Sequence, residues 1–399
     1  MQRTAALALL ALALSALALS ATGGCTRDEP PPASPTVDDS DLDRLRALAY
    51  VDTPDVGDRP SGVVLHDRER AQPGLNYTTS AQTCSSRLVD MDGERIREWR
   101  HRPCFRWDNS VLREDGSIVV VHRDPGAAAG VPEGRSLLVL DWNGDVLWQH
   151  ELPTHHDVAV VGPEEALTLT FSASPRAEIH PEIPVRDDQI VRVTAGHVET
   201  LLSLAELSDA LELPLGVVRP SKLSGEPMID LFHANSVQVL GPNRVLVTCR
   251  HQDLLLDLEL DPVRVRWLYG PGELSGPHDG TRLESGNVLV FDNGLDRERS
   301  RVVEVDPRTN TVVWQHDGGE EHPFYTRSRG AAQRLANGNT LVTVSDEAFA
   351  FEVTPEGDRV WEYHNPERTA DGRGVALVRM RRVQAASENL TGPPFLPSD

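Results

Sequence analysis

Residues 281–316, TRLESGNVLVFDNGLDRERSRVVEVDPRTNTVVWQH, and residues 333–364, QRLANGNTLVTVSDEAFAFEVTPEGDRVWEYH, share one pattern that decides the fold. Each copy begins with a short strand, turns at a Gly-Asn pair, continues through two more strands and ends in a strand that carries a tryptophan. Apolar and polar residues that alternate between glycine, asparagine and aspartate turns are typical of half-buried antiparallel strands. The chain therefore contains an internal repeat of short β-strands.

Tryptophans mark the period of this repeat. In chain order they are Trp99, Trp148, Trp267, Trp314 and Trp361. The last three are 47 residues apart and the first two 49 apart, and the gap of 119 holds one more copy, IVRVTAGHVETLLSL, plus an insertion at about 203–230. A period near 50 residues with four strands per copy is typical of a propeller blade, whereas a β-sandwich, the alternative, predicts no regular period. Six copies predict an all-β fold, a six-bladed β-propeller of four-stranded antiparallel blades, over residues 81–385.

The two ends of the ring are expected to pair. The final strand segment, GVALVRMRRV at 374–383, lacks outer strands of its own, and the strands that end at Trp99 lack an inner strand. Pairing of these N- and C-terminal strands would close the last blade and remove an exposed edge. Residues 49–80 are left as a short N-terminal segment and 386–399 as a C-terminal tail.

The N-terminus predicts export. An apolar Ala/Leu run after Arg3 is typical of a signal peptide, residues 1–24, and is short for a membrane span. Cys25 follows two glycines, as in a bacterial lipoprotein, so we expect Cys25 to be lipidated, with simple secretion as the alternative. The Pro- and Asp-rich residues 25–48 predict a disordered tether. We expect a periplasmic or outer-membrane lipoprotein, otherwise a secreted protein, that meets the membrane only through its lipid anchor.

Three further cysteines would lie in an oxidising compartment. Cys84 and Cys104 are the nearer pair, and we expect a disulfide between them. Cys249, in VLVTCRHQ, is interpreted as a buried small hydrophobic residue.

Charge and composition exclude several functions. The 399 residues carry a formal net charge of −22, which disfavours nonspecific binding to nucleic acid or to an anionic lipid surface. Lys222 is the only lysine, so a Schiff base or a P-loop has almost no support.

Polar residues recur at one phase of the repeat, where the strand before each glycine turn begins. These strands are HHDVAVV at 155–161, HANSVQVL at 233–240, HDGTRL at 278–283 and RGAAQRL at 329–335. If they are the innermost strands, their first residues face the central channel. His233 and Asn235, two apart, are expected to face the same way, and TCRHQD places Arg250 and His251 near the same end.

A single histidine is more often structural than catalytic, but the shared phase of His156, His233 and His278 favours a common site. Such a cluster admits two chemistries. Imidazoles could hold a metal, or arginine and asparagine could bind a sulfate or phosphate ester while one histidine attacks and another moves a proton. Arg250 and Arg329 favour the anion, and we predict no metal and no cofactor.

These motifs resemble those of the arylsulfate sulfotransferase family, exported bacterial six-bladed propellers that move sulfuryl groups between phenols without a nucleotide sulfate donor. The resemblance extends over about 60–365 and includes HHDV, DLFHANSVQVL with VTCRHQ, GPHDGTRLESGNVLVFDNG and SRGAAQRLANGNTLVTV. It implies a ping-pong reaction in which an aryl sulfate donates its sulfuryl group to a histidine, and a phenolic acceptor then takes it.

The resemblance also assigns roles to residues. His278 would be the nucleophile, and His233, Asn235 and Arg250 would hold the sulfuryl oxygens. His156, which fits better than His155, would be the acid or base. His155, Ser328 and Arg329 would line the pocket.

Two other functions stay open from the sequence: a non-catalytic ligand-binding or scaffold propeller on the cell envelope, and a metalloenzyme that uses the same histidines. Aromatic residues that could select the acceptor are Tyr77, Trp107, Phe232 and Tyr325. The oligomeric state is open.

Overall fold

A computed structural model describes residues 56–57, 59–125, 127, 132–177, 179–211, 219–221 and 228–383. The predicted signal peptide, Cys25, the tether and the C-terminal tail lie outside the described residues. Within them no helix is long and apolar enough to cross a bilayer.

The strands follow the chain from one blade to the next. Strand β1 spans Gly62–His66. Blade 1 takes β2 (Leu75–Ser80), β3 (Ser85–Val89) and β4 (Arg95–Arg100). Blade 2 contains β5 (Arg106–Leu112), β6 (Ile118–Arg123), β7 (Arg135–Leu140) and β8 (Val146–Glu151). Blade 3 contains β9 (Thr154–Val160), β10 (Glu165–Ser174), β11 (Val185–Thr194) and β12 (His197–Ser203).

The second half repeats this order after the insertion predicted near 203–230. The insertion contains α1 (Leu204–Leu211), β13 (Arg219–Ser221) and β14 (Met228–Asp230), and β14 pairs in parallel with β11. Blade 4 contains β15 (Ala234–Gly241), β16 (Arg244–Cys249), β17 (Leu254–Leu260) and β18 (Val263–Tyr269). Blade 5 contains β19 (His278–Arg282), β20 (Val288–Asp292), β21 (Arg301–Asp306) and β22 (Thr311–His316). Blade 6 contains β23 (Ala331–Arg334), β24 (Thr340–Val344), β25 (Phe349–Val353) and β26 (Arg359–His364), and β27 (Leu377–Val383) ends the described chain.

The ring confirms the predicted six-bladed β-propeller. Six sheets form from successive antiparallel hairpins, and their first strands, β27, β5, β9, β15, β19 and β23, contact one another in a circle. The closure is also the predicted one, because β27 pairs with β2 from Leu75 opposite Val383 to Ser80 opposite Leu377. Strand β1 adds a fifth strand to blade 6 by pairing with β26. The predicted N-terminal segment 49–80 thus contributes β1 and β2 to two blades.

The repeated tryptophans join each blade to the next. The guanidinium of Arg334, in blade 6, lies 4.4 Å from the ring centroid of Trp314, in blade 5. Its Nη2 also lies 2.6 Å from a carboxylate oxygen of Glu304, the residue opposite Trp314 on the adjacent strand. The same trio recurs at two other junctions, as Trp267, Arg282 and Asp257 and as Trp361, Arg382 and Glu352. Trp361 is buried in the repeat core, and Trp267 and Trp314 pack against it half-buried, in agreement with their spacing.

The cysteines of the described chain are all buried or nearly so. Cys84 and Cys104 form a disulfide with their Cα atoms 6.4 Å apart, which joins the β2–β3 turn to the segment before β5. Cys249 is a buried free thiol in β16, and its burial raises its pKa well above the ordinary value. A neutral, inaccessible thiol is a poor nucleophile.

Candidate active site

A kink in the backbone marks the start of the inner strands. The residues with a left-handed backbone there are His156, His233, Asp279 and Arg329, with φ between 51° and 57°. The pairing register of the inner strand shifts at the corresponding point in blades 3, 4 and 5. Such a conformation is uncommon for residues other than glycine, and bulges of this kind redirect side chains near functional sites.

The redirected side chains surround a small cavity on the propeller axis. Its volume is about 30 Å³, enough for about two water molecules or one compact anion, and all six blades contribute to its wall. The described lining residues are Arg106, Asp108, Asn109, Arg123, His156, Asn235, His278, Asp279, Arg329, Gly330, Val378 and Arg379. Four of the eight predicted site residues therefore line one cavity: His156, Asn235, His278 and Arg329.

His278 is held as a neutral ring with its lone pair on Nε2. Nδ1 lies 3.0 Å from the carbonyl oxygen of Gly276, which can only accept a hydrogen bond. The backbone N–H of Arg329 donates to Nε2 at 3.2 Å, so Nε2 carries no proton. Burial, together with the nearby Arg250 cation, lowers the pKa of His278 to about 3. His278 is therefore an uncharged imidazole in a cationic setting.

His155 lies behind His156 and orients it. Nε2 of His155 donates to the carbonyl of Thr170 at 3.2 Å, and Nδ1 of His155 lies 2.8 Å from Nδ1 of His156. Burial lowers the pKa of His155 to about 4, so the ring is neutral and its Nδ1 must accept the hydrogen that Nδ1 of His156 donates. The lone pair of His156 is then on Nε2. His155 is fully buried, so its predicted contact with substrate is replaced by a contact with His156.

His233 also lies beside the cavity rather than in its described lining. Its Nδ1 donates to Oδ2 of Asp230 at 2.5 Å, and its ring centroid is 4.8 Å from that of His156. Asn235 lines the cavity, and His233 reaches it through His156. The left-handed backbone at His233 interrupts the two-residue alternation of a regular strand. Burial lowers the pKa of His233 to about 4, although Asp230 acts in the opposite direction.

Arg250 follows β16 and spans from blade 4 to the loop before β23. Its backbone N–H donates to the carbonyl of His233 at 3.1 Å. Its Nη1 donates to Nε2 of His251 at 3.3 Å, and its Nη2 donates to the carbonyl of Arg327 at 3.4 Å. It lies near enough to His278 to lower the pKa of that ring. Arg250 is therefore half-buried and adds positive charge near His278.

Ser328 anchors a loop. Its backbone N–H donates to Oδ2 of Asp346 at 2.8 Å, and its hydroxyl donates to both oxygens of the same carboxylate at 3.0 Å. Ser328 is not among the described residues that line the cavity. Its predicted role in lining the pocket is thus indirect, through the position of Arg329.

Blade 2 supplies cavity-lining residues that are not among the predicted site residues. Arg106, Asp108 and Asn109 belong to β5, and Arg123 ends β6 beside them. The motif RWDNSVL occupies the same phase as the histidine motifs, which was the available signal. Nε of Arg106 lies 3.0 Å from Oδ1 of Asp108, and Arg123 pairs with Oδ2.

The wall of the cavity carries an excess of positive charge. Its described lining contains four arginines and two aspartates, and the two histidines are neutral because burial lowers the pKa of each. Arg379, from β27, lies 2.9 Å from Asp157 and 3.0 Å from Asp279, so the closing strand also bridges two blades under the cavity. A small polar cavity of this charge suits an anion.

Three groups near the cavity could be considered for a metal. One ligand atom each from Asp230, His233 and His251 lies within 4.8 Å of the others. However, the 2.5 Å contact between Asp230 and His233 is a hydrogen bond, and Nη1 of Arg186 lies 3.4 Å from the same carboxylate oxygen. A metal ion at this point would have to displace that hydrogen bond and face a guanidinium, so the arrangement fits a hydrogen-bond network better.

The four candidate aromatic residues fall into two groups. Tyr77, Trp107 and Phe232 are buried in the blade cores. Tyr325 is partly exposed in the loop before Ser328, close to Arg327 and Arg250. Tyr325 is therefore the one of the four placed where an aromatic substrate could contact it.

Comparison with known proteins gives one family and a general fold likeness. The sequence model of a family described as arylsulfotransferase (ASST) matches residues 111–366. No curated protein gives a significant match. Among solved structures, a Bacteroides caccae protein of unknown function is 12% identical, with 77% of this chain and 100% of that chain covered and a TM-score of 0.50. A nidogen–laminin complex chain is 10% identical, with 77% and 99% covered and a TM-score of 0.47. At such identities these likenesses concern the fold alone.

Proposed function

The chain belongs to the arylsulfotransferase family, and we propose that it transfers a sulfuryl group from an aryl sulfate ester to a phenolic acceptor through a covalent intermediate on His278. The observation that carries the proposal is the state of His278. It is a neutral imidazole with its lone pair on Nε2, in a cavity lined by four arginines. A nucleophile and an anion-binding wall are the two parts that sulfuryl transfer needs.

The size of the cavity supports a division of the donor between two places. A cavity of about 30 Å³, enough for about two water molecules, is small for an aromatic ring. The ring of the donor would therefore stay at the mouth, beside Arg250 and Tyr325.

In the first half-reaction Nε2 of His278 attacks sulfur. The new S–N bond forms as the bond between sulfur and the aryl oxygen breaks, and the aryl oxygen leaves with the electron pair as a phenolate. His278 keeps its proton on Nδ1. Because transfer of this kind makes few new covalent demands on the protein, positioning and charge stabilisation supply most of the catalysis, as in phosphoryl transfer.

Donors for the sulfuryl oxygens surround Nε2. The backbone N–H of Arg329, which contacts Nε2 in the resting site, can shift its hydrogen bond to a sulfuryl oxygen as the S–N bond forms. Nδ2 of Asn235 donates one hydrogen to the carbonyl of Pro277 at 2.8 Å, which leaves its second hydrogen for the substrate. Arg250 adds a cation at the mouth.

In the second half-reaction the acceptor phenol takes the group. The lone pair on Nε2 of His156, directed by His155, is suited to remove the phenol proton. The phenol oxygen then attacks sulfur, the S–N bond breaks, and its electron pair returns to Nε2 of His278. His233, tied to Asp230 and packed against His156, would hold His156 in place.

The proposal is tested with 4-nitrophenyl sulfate and phenol. The purified protein should release nitrophenol only slowly without phenol and quickly with it. Donor alone should add the mass of one SO₃ group to the peptide that contains His278. His278→Ala should abolish both signals, and His197→Ala, an exposed histidine on β12, should leave them unchanged. Full activity in His278→Ala would overturn the mechanism.

We also propose export as a lipoprotein. Cys25 follows an apolar signal-like segment and two glycines, which is the support for this step. Metabolic labelling with a radioactive fatty acid should label the full chain in a bacterial host and should fail to label Cys25→Ala. Equal labelling of the two proteins would exclude lipidation at this cysteine.

A further inference from the structure

We propose that Asn293 is a positioning residue that holds His278 as the Nδ1–H tautomer and couples this tautomer to the position of the Arg329 loop. The catalytic meaning of this inference rests on the proposed function, whereas the tautomer itself does not. Asn293 follows β20 directly, in the FDNG motif, and is fully buried. It makes no part of the cavity lining described above, so it acts through His278.

The orientation of the Asn293 amide is decided by its neighbours. Nδ2 lies 2.8 Å from the carbonyl oxygen of Thr326 and 2.7 Å from that of Arg329, and each of these can only accept a hydrogen bond. Both amide hydrogens are thereby used, and Oδ1 faces Nδ1 of His278 at 2.7 Å. A flipped amide would set its oxygen against two buried carbonyls, which is costly where no water can compensate.

An amide oxygen has no hydrogen to donate. Nδ1 of His278 must therefore be the donor of the 2.7 Å hydrogen bond, and Nε2 must carry the lone pair. The same amide holds the carbonyl of Arg329, whose backbone N–H contacts Nε2 at 3.2 Å. Asn293 thus adds a second acceptor for the Nδ1 hydrogen, beside the carbonyl of Gly276, and also steadies the N–H group that contacts Nε2.

An amide partner and a carboxylate partner affect the protonation of a histidine differently, as a comparison with His233 shows. His233 donates from Nδ1 to a carboxylate, Asp230, and a carboxylate partner favours a protonated ring. Asn293 offers hydrogen bonding without a negative charge. Its hydrogen bond raises the pKa of His278, but burial and the Arg250 cation outweigh it, so the ring stays neutral. After the first half-reaction the N-sulfo ring, which keeps its proton on Nδ1, is cationic. A neutral amide stabilises that cation less than a carboxylate would, so the sulfuryl group can leave again.

Other charged and titratable groups also surround His278. They are His156, His233, Arg250, Asp279, Arg329 and Arg379. Asp279 is the one carboxylate among them, and its oxygens accept hydrogen bonds from Arg381 and from the backbone N–H of Ala332, with Arg379 alongside. The two groups that contact Nδ1, the carbonyl of Gly276 and the amide oxygen of Asn293, are both uncharged.

The first test reads the tautomer without any substrate. Protein labelled with ¹⁵N-histidine gives ring-nitrogen chemical shifts that separate a protonated nitrogen from one with a lone pair, and the His278 signal is assigned by its loss in His278→Gln. We expect a protonated Nδ1 and an unprotonated Nε2 at neutral pH. The opposite tautomer would overturn the inference whatever the activity. The expected tautomer with no sulfuryl transfer to any phenol would instead count against the proposed function.

The second test removes the amide while keeping its shape. Asn293→Leu should weaken the preference for the Nδ1–H tautomer, which the carbonyl of Gly276 would then hold alone. It should also lower kcat by at least about tenfold, by analogy with the loss of a partner that orients a metal-ligating histidine, while KM for the aryl sulfate donor changes little. Asn287→Ala, in the turn of the same β19–β20 hairpin, is the matched control and should keep wild-type kcat. If Asn293→Leu only lowers the melting temperature and its His278 shifts stay as in the wild type, Asn293 is structural and the inference fails. If this variant does not fold, the wild-type spectrum still decides the tautomer.

Discussion

The backbone N–H of Arg329 donates a hydrogen bond to Nε2 of His278 across the junction of blades 6 and 5. The atom that we propose attacks sulfur is thus hydrogen-bonded by a residue of the neighbouring blade in the resting site. Its reactivity depends on how accurately two blades are placed beside each other. Changes at this junction should therefore alter activity as well as stability.

Gly330, next to Arg329, tests that junction. An ideal Cβ on Gly330 would lie 2.5 Å from Cε1 of Phe291, and φ is +104°. Gly330→Ala should lower the free energy of unfolding by roughly 1–3 kcal/mol through overpacking and should lower kcat by displacing Arg329. Gly286→Ala is the control, because Gly286 has φ +87° but nothing within 4 Å of its Cβ. Equal melting temperatures and rates for the two variants would contradict the prediction.

Arg250 supplies a cation near His278. Arg250→Ala should lower kcat/KM for the aryl sulfate donor by about 10²–10³-fold, the scale seen when one charge-stabilising donor is removed. It should also raise the pKa of His278, because Arg250 contributes to holding that pKa down. Steady-state rates with 4-nitrophenyl sulfate across a range of pH measure both effects. Arg264→Ala, exposed on β18, should match the wild type, and a comparable loss there would show a long-range charge effect instead.

Buried neutral histidines predict that stability falls in mild acid. Burial lowers the pKa of His155 and His233 to about 4 and that of His278 to about 3, against about 6.5 in an unfolded chain. Between about pH 6.5 and pH 4 the unfolded chain binds protons that the folded chain does not, so the free energy of unfolding decreases as pH falls. Each histidine contributes at most about 1.4 kcal/mol per pH unit in that window.

Urea unfolding at several pH values measures this effect. The midpoint should stay nearly constant above about pH 7 and fall progressively below about pH 6. His197→Gln should keep the wild-type dependence, because His197 is exposed. A free energy of unfolding that is constant from about pH 7 to about pH 5 would mean that the three rings are not held neutral.

A variant of Arg382 tests the closure of the ring independently of sulfuryl transfer. Its Nη1 lies 2.9 Å from Oε2 of Glu352 in blade 6, both side chains are buried, and its guanidinium covers Trp361. Arg382→Met should cost about 3–5 kcal/mol, because it leaves the Glu352 carboxylate buried without its cation, while kcat of the folded fraction stays unchanged. Arg308→Ala, which removes an exposed pair with Asp306, should leave the melting temperature unaltered. A fall in kcat with normal stability would contradict this assignment.

Parts of the site followed from the sequence, and others did not. The shared phase of His156, Asn235, His278 and Arg329 predicted their convergence, because a repeat places equivalent positions at equivalent distances from the axis. The left-handed backbone at His233, and its hydrogen bond to Asp230, could not be predicted from the local sequence pattern. Ser328 matched the motif but bonds to Asp346, and only the folded loop brings that carboxylate near.

The sequence by itself determined the number of blades, the exchange of strands that closes the ring and the core position of the tryptophans. Those features follow from the period of the repeat, which can be read from the order of the residues alone. The tertiary structure alone decided the tautomer of His278, the place of Arg106 and Arg123 in the cavity wall and the partner of Asn293. These depend on hydrogen bonds and charges between residues that are apart in the sequence, some within one blade and some between blades, and such contacts exist only once the strands have paired and the blades have packed together.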